Sequence, residues 1–165
     1  MRGMMARYPE GKHKSALLPM LHVAQSEYGW LSVPVMDQVA AILDIQPIEV
    51  YEVASFYSMY HTHPVGKCVI EVCRTSSCWL RGANDVITHI EQRLGIKEGE
   101  TTADGNFTLK AVECLGSCGT APMLQIGEKY YENLSLERVD EILNENRNLV
   151  DHSRYMDNKT FVING

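Results

Sequence analysis

The rhythm of apolar and polar positions changes near residue 64. Before that point the spacing is helical. Leu17, Leu18, Leu21 and Ala24 recur at i, i+1, i+4 and i+7, which predicts a helix over residues 12–27, with Gly29 as its stop. Ser32 offers a cap and Pro34 an early-turn proline for a second helix to about Leu43, whose apolar set is Val35, Met36, Val39, Ile42 and Leu43. Pro47 opens a third helix to about Met59, with Val50, Val53, Ala54 and Tyr57 on one face. His63-Pro64-Val65-Gly66 reads as a linker. Beyond it, residues 68–72 are rich in β-branched side chains and predict a strand. Leu80 to Leu94 reads as a helix with Val86, Ile87, Ile90 and Leu94 inward and Gly95 as its stop. A polar connection over residues 98–105 leads to a second strand over 107–112. Residues 123–126 and 129–131 predict a hairpin across Gly127-Glu128. Ser135 caps a last helix to about Asn144, with Leu136, Val139, Ile142 and Leu143 as its stripe.

These elements give an α+β chain in two parts. Residues 1–63 form an N-terminal helical bundle, of which residues 1–11 read as a flexible extension. Residues 64–147 follow the order β-α-β-β-β-α, a small α/β domain with a four-stranded mixed sheet that resembles a thioredoxin-like domain. Residues 148–165 are polar, weakly patterned and read as a tail open to a partner.

Composition narrows the function more than the fold. The 165 residues are 45% apolar and 22% charged, ordinary values for a globular protein, and the formal net charge is −6. That charge, without a Lys/Arg cluster, argues against nucleic acid. No apolar run reaches the roughly 18 residues that span a bilayer. The N-terminus lacks the apolar core of a secretory signal, so the expected compartment is cytosolic and reducing, where clustered cysteines bind metal or do redox chemistry. No Gly-rich nucleotide motif is present, so no nucleotide or flavin site is expected on this chain.

The candidate chemistry lies in four cysteines. Cys73 and Cys78 form a C-x4-C pair and Cys114 and Cys118 a C-x3-C pair. Cys73 falls where the first strand runs out and Cys78 where the following helix begins, a position that favours thiolate. The second pair follows the second strand. If the two strands are neighbours, both loops emerge at one edge and converge. Four thiolates suit a [2Fe–2S] cluster. Thr75, Ser76, Ser77 and Ser117 are candidate hydrogen-bond donors to sulfur, and Arg74 and Arg81 supply positive charge. A structural zinc site also takes four cysteines, though usually on C-x2-C knuckles. A dithiol redox site wants C-x-x-C at a helix start. Both alternatives stay open on spacing alone. A Rieske centre does not, because no histidine flanks either pair.

The fifth cysteine, Cys68, lies five positions before Cys73 in the same strand. That offset puts it on the opposite face, roughly 16 Å away, as a core residue. His61 and His63 read as solvated loop residues. The acidic positions of the last helix, Glu137, Asp140, Glu141 and Glu145, read as a solvated face. The aromatic run Tyr51, Phe56, Tyr57 and Tyr60 reads mainly as core.

The flanking residues carry a family resemblance from about Ser15 to Asn144. They are Ala16-Leu-Leu-Pro-Met-Leu21, Tyr28-Gly-Trp-Leu31, Val50-Tyr-Glu-Val-Ala-Ser-Phe-Tyr57, Trp79-Leu-Arg-Gly-Ala83, Asp104-Gly-Asn-Phe-Thr-Leu109 and Glu113-Cys-Leu-Gly-Ser-Cys-Gly-Thr-Ala-Pro-Met123. With the full spacing C-x4-C-x35-C-x3-C, the chain resembles the E subunits of respiratory NADH:quinone oxidoreductase (complex I), thioredoxin-like [2Fe–2S] proteins. The resemblance displaces the zinc and dithiol readings. It implies that Cys73 and Cys78 bind one iron and Cys114 and Cys118 the other. It implies a helical N-terminal part docking on the flavin subunit, which holds FMN and the NADH site. It also implies one-electron transfer without catalytic residues, in the peripheral arm of a membrane-bound complex on the cytoplasmic side of the bacterial inner membrane. The equivalent subunits of NAD-linked hydrogenases and formate dehydrogenases share the module and stand as the nearest alternative. A free-standing ferredoxin is a more distant one.

Overall fold

The computed structural model describes residues 2–149. They fall in two compact units that part between Pro64 and Val65.

The first unit is helical. Its elements are α1 (Arg2–Met5), a 3-10 turn (His13–Ala16), α2 (Leu17–Tyr28), α3 (Val33–Leu43) and α4 (Pro47–Phe56). Leu17, Met20, Leu21, Ala24, Val39, Leu43, Val50 and Ala54 face one another in its core. Met4, Met5 and Tyr8 pack against that core, so part of the segment expected as a flexible extension is folded onto it. Pro47 takes the first helical position of α4, and the Gln46 backbone N–H donates to Glu49 Oε2 at 2.9 Å. Ser32 holds the N-cap position of α3 without a side-chain cap bond.

α4 ends at Phe56, three residues before the expected end. The chain turns out at Tyr57 so that Tyr60 can enter the core, where its hydroxyl donates to the Leu18 carbonyl at 2.9 Å. The Gln25 side chain holds this turn: its amide donates to the Met59 carbonyl at 2.9 Å and its oxygen accepts from the His61 N–H at 2.6 Å. The aromatic run therefore splits. Tyr60 is buried, whereas Phe56 is 79% exposed and Tyr57 is partly exposed.

The second unit is one sheet covered on one face by helices. It contains β1 (Cys68–Cys73), α5 (Ser76–Leu80), α6 (Ala83–Leu94), β2 (Phe107–Val112), a 3-10 turn (Cys118–Thr120), β3 (Leu124–Ile126), β4 (Lys129–Tyr131) and α7 (Leu136–Leu149). The sheet order is β2-β1-β3-β4, with β1 parallel to β2 and the other pairs antiparallel. Cys68, Ile70, Val72, Phe107, Leu109 and Leu124 pack against Val86 and Ile90 of α6 and Val139, Ile142 and Leu143 of α7. This α+β arrangement with a four-stranded mixed sheet is the fold class read from the pattern.

Two boundaries differ from the pattern. The helix expected over 80–94 is two helices. Gly82, at φ 91°, adopts a left-handed conformation that a side chain resists, and it separates α5 from α6. α7 continues past Asn144 to Leu149. No glycine or proline stops it, Arg138 pairs along it with Glu141 and Glu145, and the buried Asn146 amide donates to the Ile142 carbonyl. The first two residues assigned to the tail are therefore helical, and the rest of the tail lies outside the described residues.

Candidate metal centre

Parallel pairing of β1 and β2 makes the site possible. Their register sets Cys73, the last residue of β1, opposite Val112, the last residue of β2. Both strands thus finish at one edge of the sheet. Cys114 lies two residues beyond Val112, and Cys78 returns to the same edge from α5. Cys73 and Cys78 are buried beside Ala83, Ala121 and Met123, whereas Cys114 and Cys118 are exposed. Cys78 sits inside the short α5 rather than at the start of the long helix.

The sulfurs meet two by two. Cys114 Sγ and Cys118 Sγ are 3.5 Å apart. Burial pushes the Cys73 thiol up. The Thr75 hydroxyl (3.4 Å away), the amides of Thr75 and Leu115, and the Cys78 thiol outweigh it, so Cys73 lies below the ordinary thiol range. Burial, followed by donation to Cys73, raises Cys78 to about 11. The Met123 amide lowers Cys78 by less than burial raises it. In the second pair the Gly116 amide, at 3.4 Å, and then Cys118 lower Cys114. Donation to Cys114 raises Cys118. Each pair thus holds one sulfur shifted below the ordinary thiol range and one shifted above it.

Contacts also cross between the pairs. The Leu115 amide, from the second loop, reaches Cys73, and the Thr75 hydroxyl, from the first, reaches Cys114. Among the described residues, no three His, Cys, Asp or Glu side chains gather as ligands of a single ion. Two pairs of soft thiolates at adjoining loops fit a binuclear iron–sulfur centre, which takes four cysteines.

Other expectations are redrawn. Ser117 is not turned to sulfur: its hydroxyl donates to Glu132 Oε1 and lies 2.7 Å from Thr120 Oγ1. Arg74 is flanked by Glu98 and Glu113 at 3.6 and 3.7 Å, so its charge is partly balanced before it reaches the sulfurs. Asp140 is not merely solvated. It accepts from His89 Nε2 at 2.9 Å and pairs with Arg93 at 2.7 Å, tying α7 to α6. Cys68 packs under the helices, where burial raises its thiol to about 12. Sequence reasoning missed Glu132 and the Leu115 and Met123 amides. Each acts across a chain reversal that spacing does not reveal.

The model of the thioredoxin-like [2Fe–2S] ferredoxin family matches residues 1–147. The E 2 subunit of the NADH-quinone oxidoreductase of Rhizobium meliloti (strain 1021) is 47% identical over 138 residues, covering 84% of this chain and 81% of that protein. The E subunit of the NADH-quinone oxidoreductase of Rickettsia bellii (strain RML369-C) is 47% identical over 141 residues, covering 85% and 84%. Among solved structures, an air-oxidised NAD+-reducing [NiFe]-hydrogenase superposes with a TM-score of 0.72 at 23% identity, a likeness of fold over 81% of this chain and 23% of that one. A family model matched over nearly all the described residues, and relatives almost half identical along most of their own length, show that this chain belongs to the thioredoxin-like [2Fe–2S] ferredoxin family.

Proposed function

We propose that Cys73, Cys78, Cys114 and Cys118 hold one [2Fe–2S] cluster, and that the chain is the electron-transferring E subunit of an NADH:quinone oxidoreductase. The observation that carries this is the meeting of two thiol pairs at the shared end of β1 and β2. The cluster supplies a site that accepts and returns one electron. The chain's own residues do the rest. Cys73 and Cys78 form the buried side of the site and Cys114 and Cys118 the exposed side, through which electrons exchange with a partner. The amides of Thr75, Leu115, Gly116 and Met123 reach the sulfurs and offset the negative charge of a thiolate-bound centre.

The chain carries no catalytic residue in this reading. FMN and the NADH site belong to the flavin subunit, beside which this chain sits in the peripheral arm, on the cytoplasmic side of the membrane. The relatives, themselves E subunits of NADH-quinone oxidoreductases, support membership of such a multi-subunit complex. Among the described residues no helix is long and apolar enough to cross a membrane. The helical unit offers Ile48 and Phe56, exposed apolar side chains on α4, as docking contacts.

Purification of the tagged full-length chain from its native host, followed by identification of stoichiometric partners, tests the assignment. Co-purification with a flavin subunit and quinone-module subunits is the expected result. Recovery with hydrogenase or formate dehydrogenase subunits, or alone, would refute it.

A further inference from the structure

The turn that bears Cys118 is clamped by a carboxylate from another part of the chain. Glu132 follows β4 directly. Its Oε1 accepts from the hydroxyl of Ser117, the residue before Cys118, and from Thr120 Oγ1, two residues after it, at 2.6 Å. The backbone reinforces the contact. The Asn133 N–H donates to the Thr120 carbonyl at 2.7 Å and the Leu134 N–H to the Pro122 carbonyl at 3.0 Å. The two hydroxyls nearest Cys118 in sequence thus point their protons at a carboxylate rather than at sulfur. We propose that Glu132 is a positioning residue for the metal centre: it fixes the Cys118 turn, withholds the Ser117 and Thr120 hydroxyls from sulfur, and keeps the cluster's reduction potential low.

The physical case has two parts. Hydrogen bonds to sulfur stabilise the more negative, reduced state and raise the potential, so holding two donors away keeps it down. A carboxylate beside the turn adds a negative charge that opposes an incoming electron. The two hydroxyls hold the Glu132 carboxyl below its usual range, so the charge persists through neutral pH. Glu132 touches no cysteine in this arrangement and acts through the turn. Elsewhere around the sulfurs the donors are backbone amides and the Thr75 and Ser77 hydroxyls, the latter reaching Cys118 from the first loop, whereas the fold diverts Ser117 and Thr120 to Glu132.

This inference rests on the four cysteines holding the cluster. The test uses the full-length chain with iron and sulfide restored. Potentiometric titration is followed by EPR for wild type, Glu132→Gln and Glu132→Ala. Glu132→Gln keeps an acceptor for both hydroxyls and removes only the charge. Its oxidised-to-reduced ratio at fixed potential should fall by roughly twofold to tenfold, tenfold being 59 mV for one electron. Glu132→Ala also frees the hydroxyls and should shift further in the same direction, with altered EPR g-values. Glu132→Ala/Ser117→Ala/Thr120→Val, which has no hydroxyls to turn, should return to the Gln value. Potentials of Glu132→Gln and wild type that coincide would overturn the proposal, even if the alanine variant fails to load. A wild-type chain that takes up no cluster would overturn both this proposal and the functional reading, whereas a loaded wild type with unmoved variants defeats this proposal alone.

Discussion

Cys68 and Cys73 occupy one strand and both are buried, yet they should respond oppositely to the same substitution. β1 directs Cys68, Ile70 and Val72 into the helix-covered core and turns Cys73 into the separate cluster with Cys78, Ala83 and Met123. Five residues of strand separate the two by about 16 Å. Cys68 is only 6% exposed, and burial keeps it a neutral thiol, a small apolar group with no charge to lend a metal. Cys68→Ala removes one atom from a packed layer and should cost about 1 kcal/mol, the scale of deleting a buried methyl group. Cys68→Ser places a hydroxyl in this apolar layer, at the position paired with Phe107, and should cost more, about 1–3 kcal/mol, or several degrees in Tm for a domain of this size. Neither should change iron content or EPR line shape in the reconstituted protein. Cys73→Ser should lose or alter the cluster whatever its stability. Urea denaturation followed by far-UV circular dichroism reads the first effect, and iron assay with EPR reads the second. A Cys68→Ala protein that folds but loses its iron would refute the two-face argument.

Three further outcomes follow from the same structure. Gly82→Ala forces a side chain into a left-handed position between α5 and α6 and should cost roughly 1–2 kcal/mol in a denaturant melt. Because α5 carries Cys78, that variant should also release iron to a chelator faster than wild type. Asp140 is held below the ordinary carboxylate range by His89 and then Arg93. Its contribution is therefore whole above an unfolded pKa of about 3.9 and is lost as pH falls through the lower folded value. Asp140→Asn should be less stable than wild type at pH 7, and the gap should close in melts below about pH 4. Phe56→Ser, at a 79% exposed position, should leave stability within about 0.5 kcal/mol while weakening capture of the flavin subunit in a pull-down. Unchanged capture would remove α4 from the proposed contact.

The periodic segments were legible because burial imposes their period. Val86 and Ile90, or Val139, Ile142 and Leu143, can face one core only from a helix, and the strand at residues 107–112 has the bounds its pattern predicts. The convergence of the cysteine loops depended on β1 and β2 being neighbours, which the pattern left conditional and the parallel register supplies. What stayed hidden was settled by contacts far apart in sequence. α4 stops early because Tyr60 and Gln25 draw the chain into a turn, and Phe56 is left outside. The break at Gly82 was missed because a single glycine after Trp79-Leu80-Arg81 does not by itself end a helical pattern. Ser117 read as a donor to sulfur because its neighbours in sequence are cysteines. In space its neighbour is Glu132, fifteen positions on.

Everything proposed for this chain depends on four thiols at the shared end of two parallel strands holding a binuclear iron–sulfur centre. Iron, zinc and acid-labile sulfide assays on the natively purified chain, with EPR of the dithionite-reduced protein, probe that dependence without an intermediary. Two irons and two sulfides per chain are expected, with a reduced [2Fe–2S] signal that the Cys73, Cys78, Cys114 and Cys118 variants lose or alter. One zinc per chain, without sulfide and without that signal, would show the centre to be a structural metal site instead.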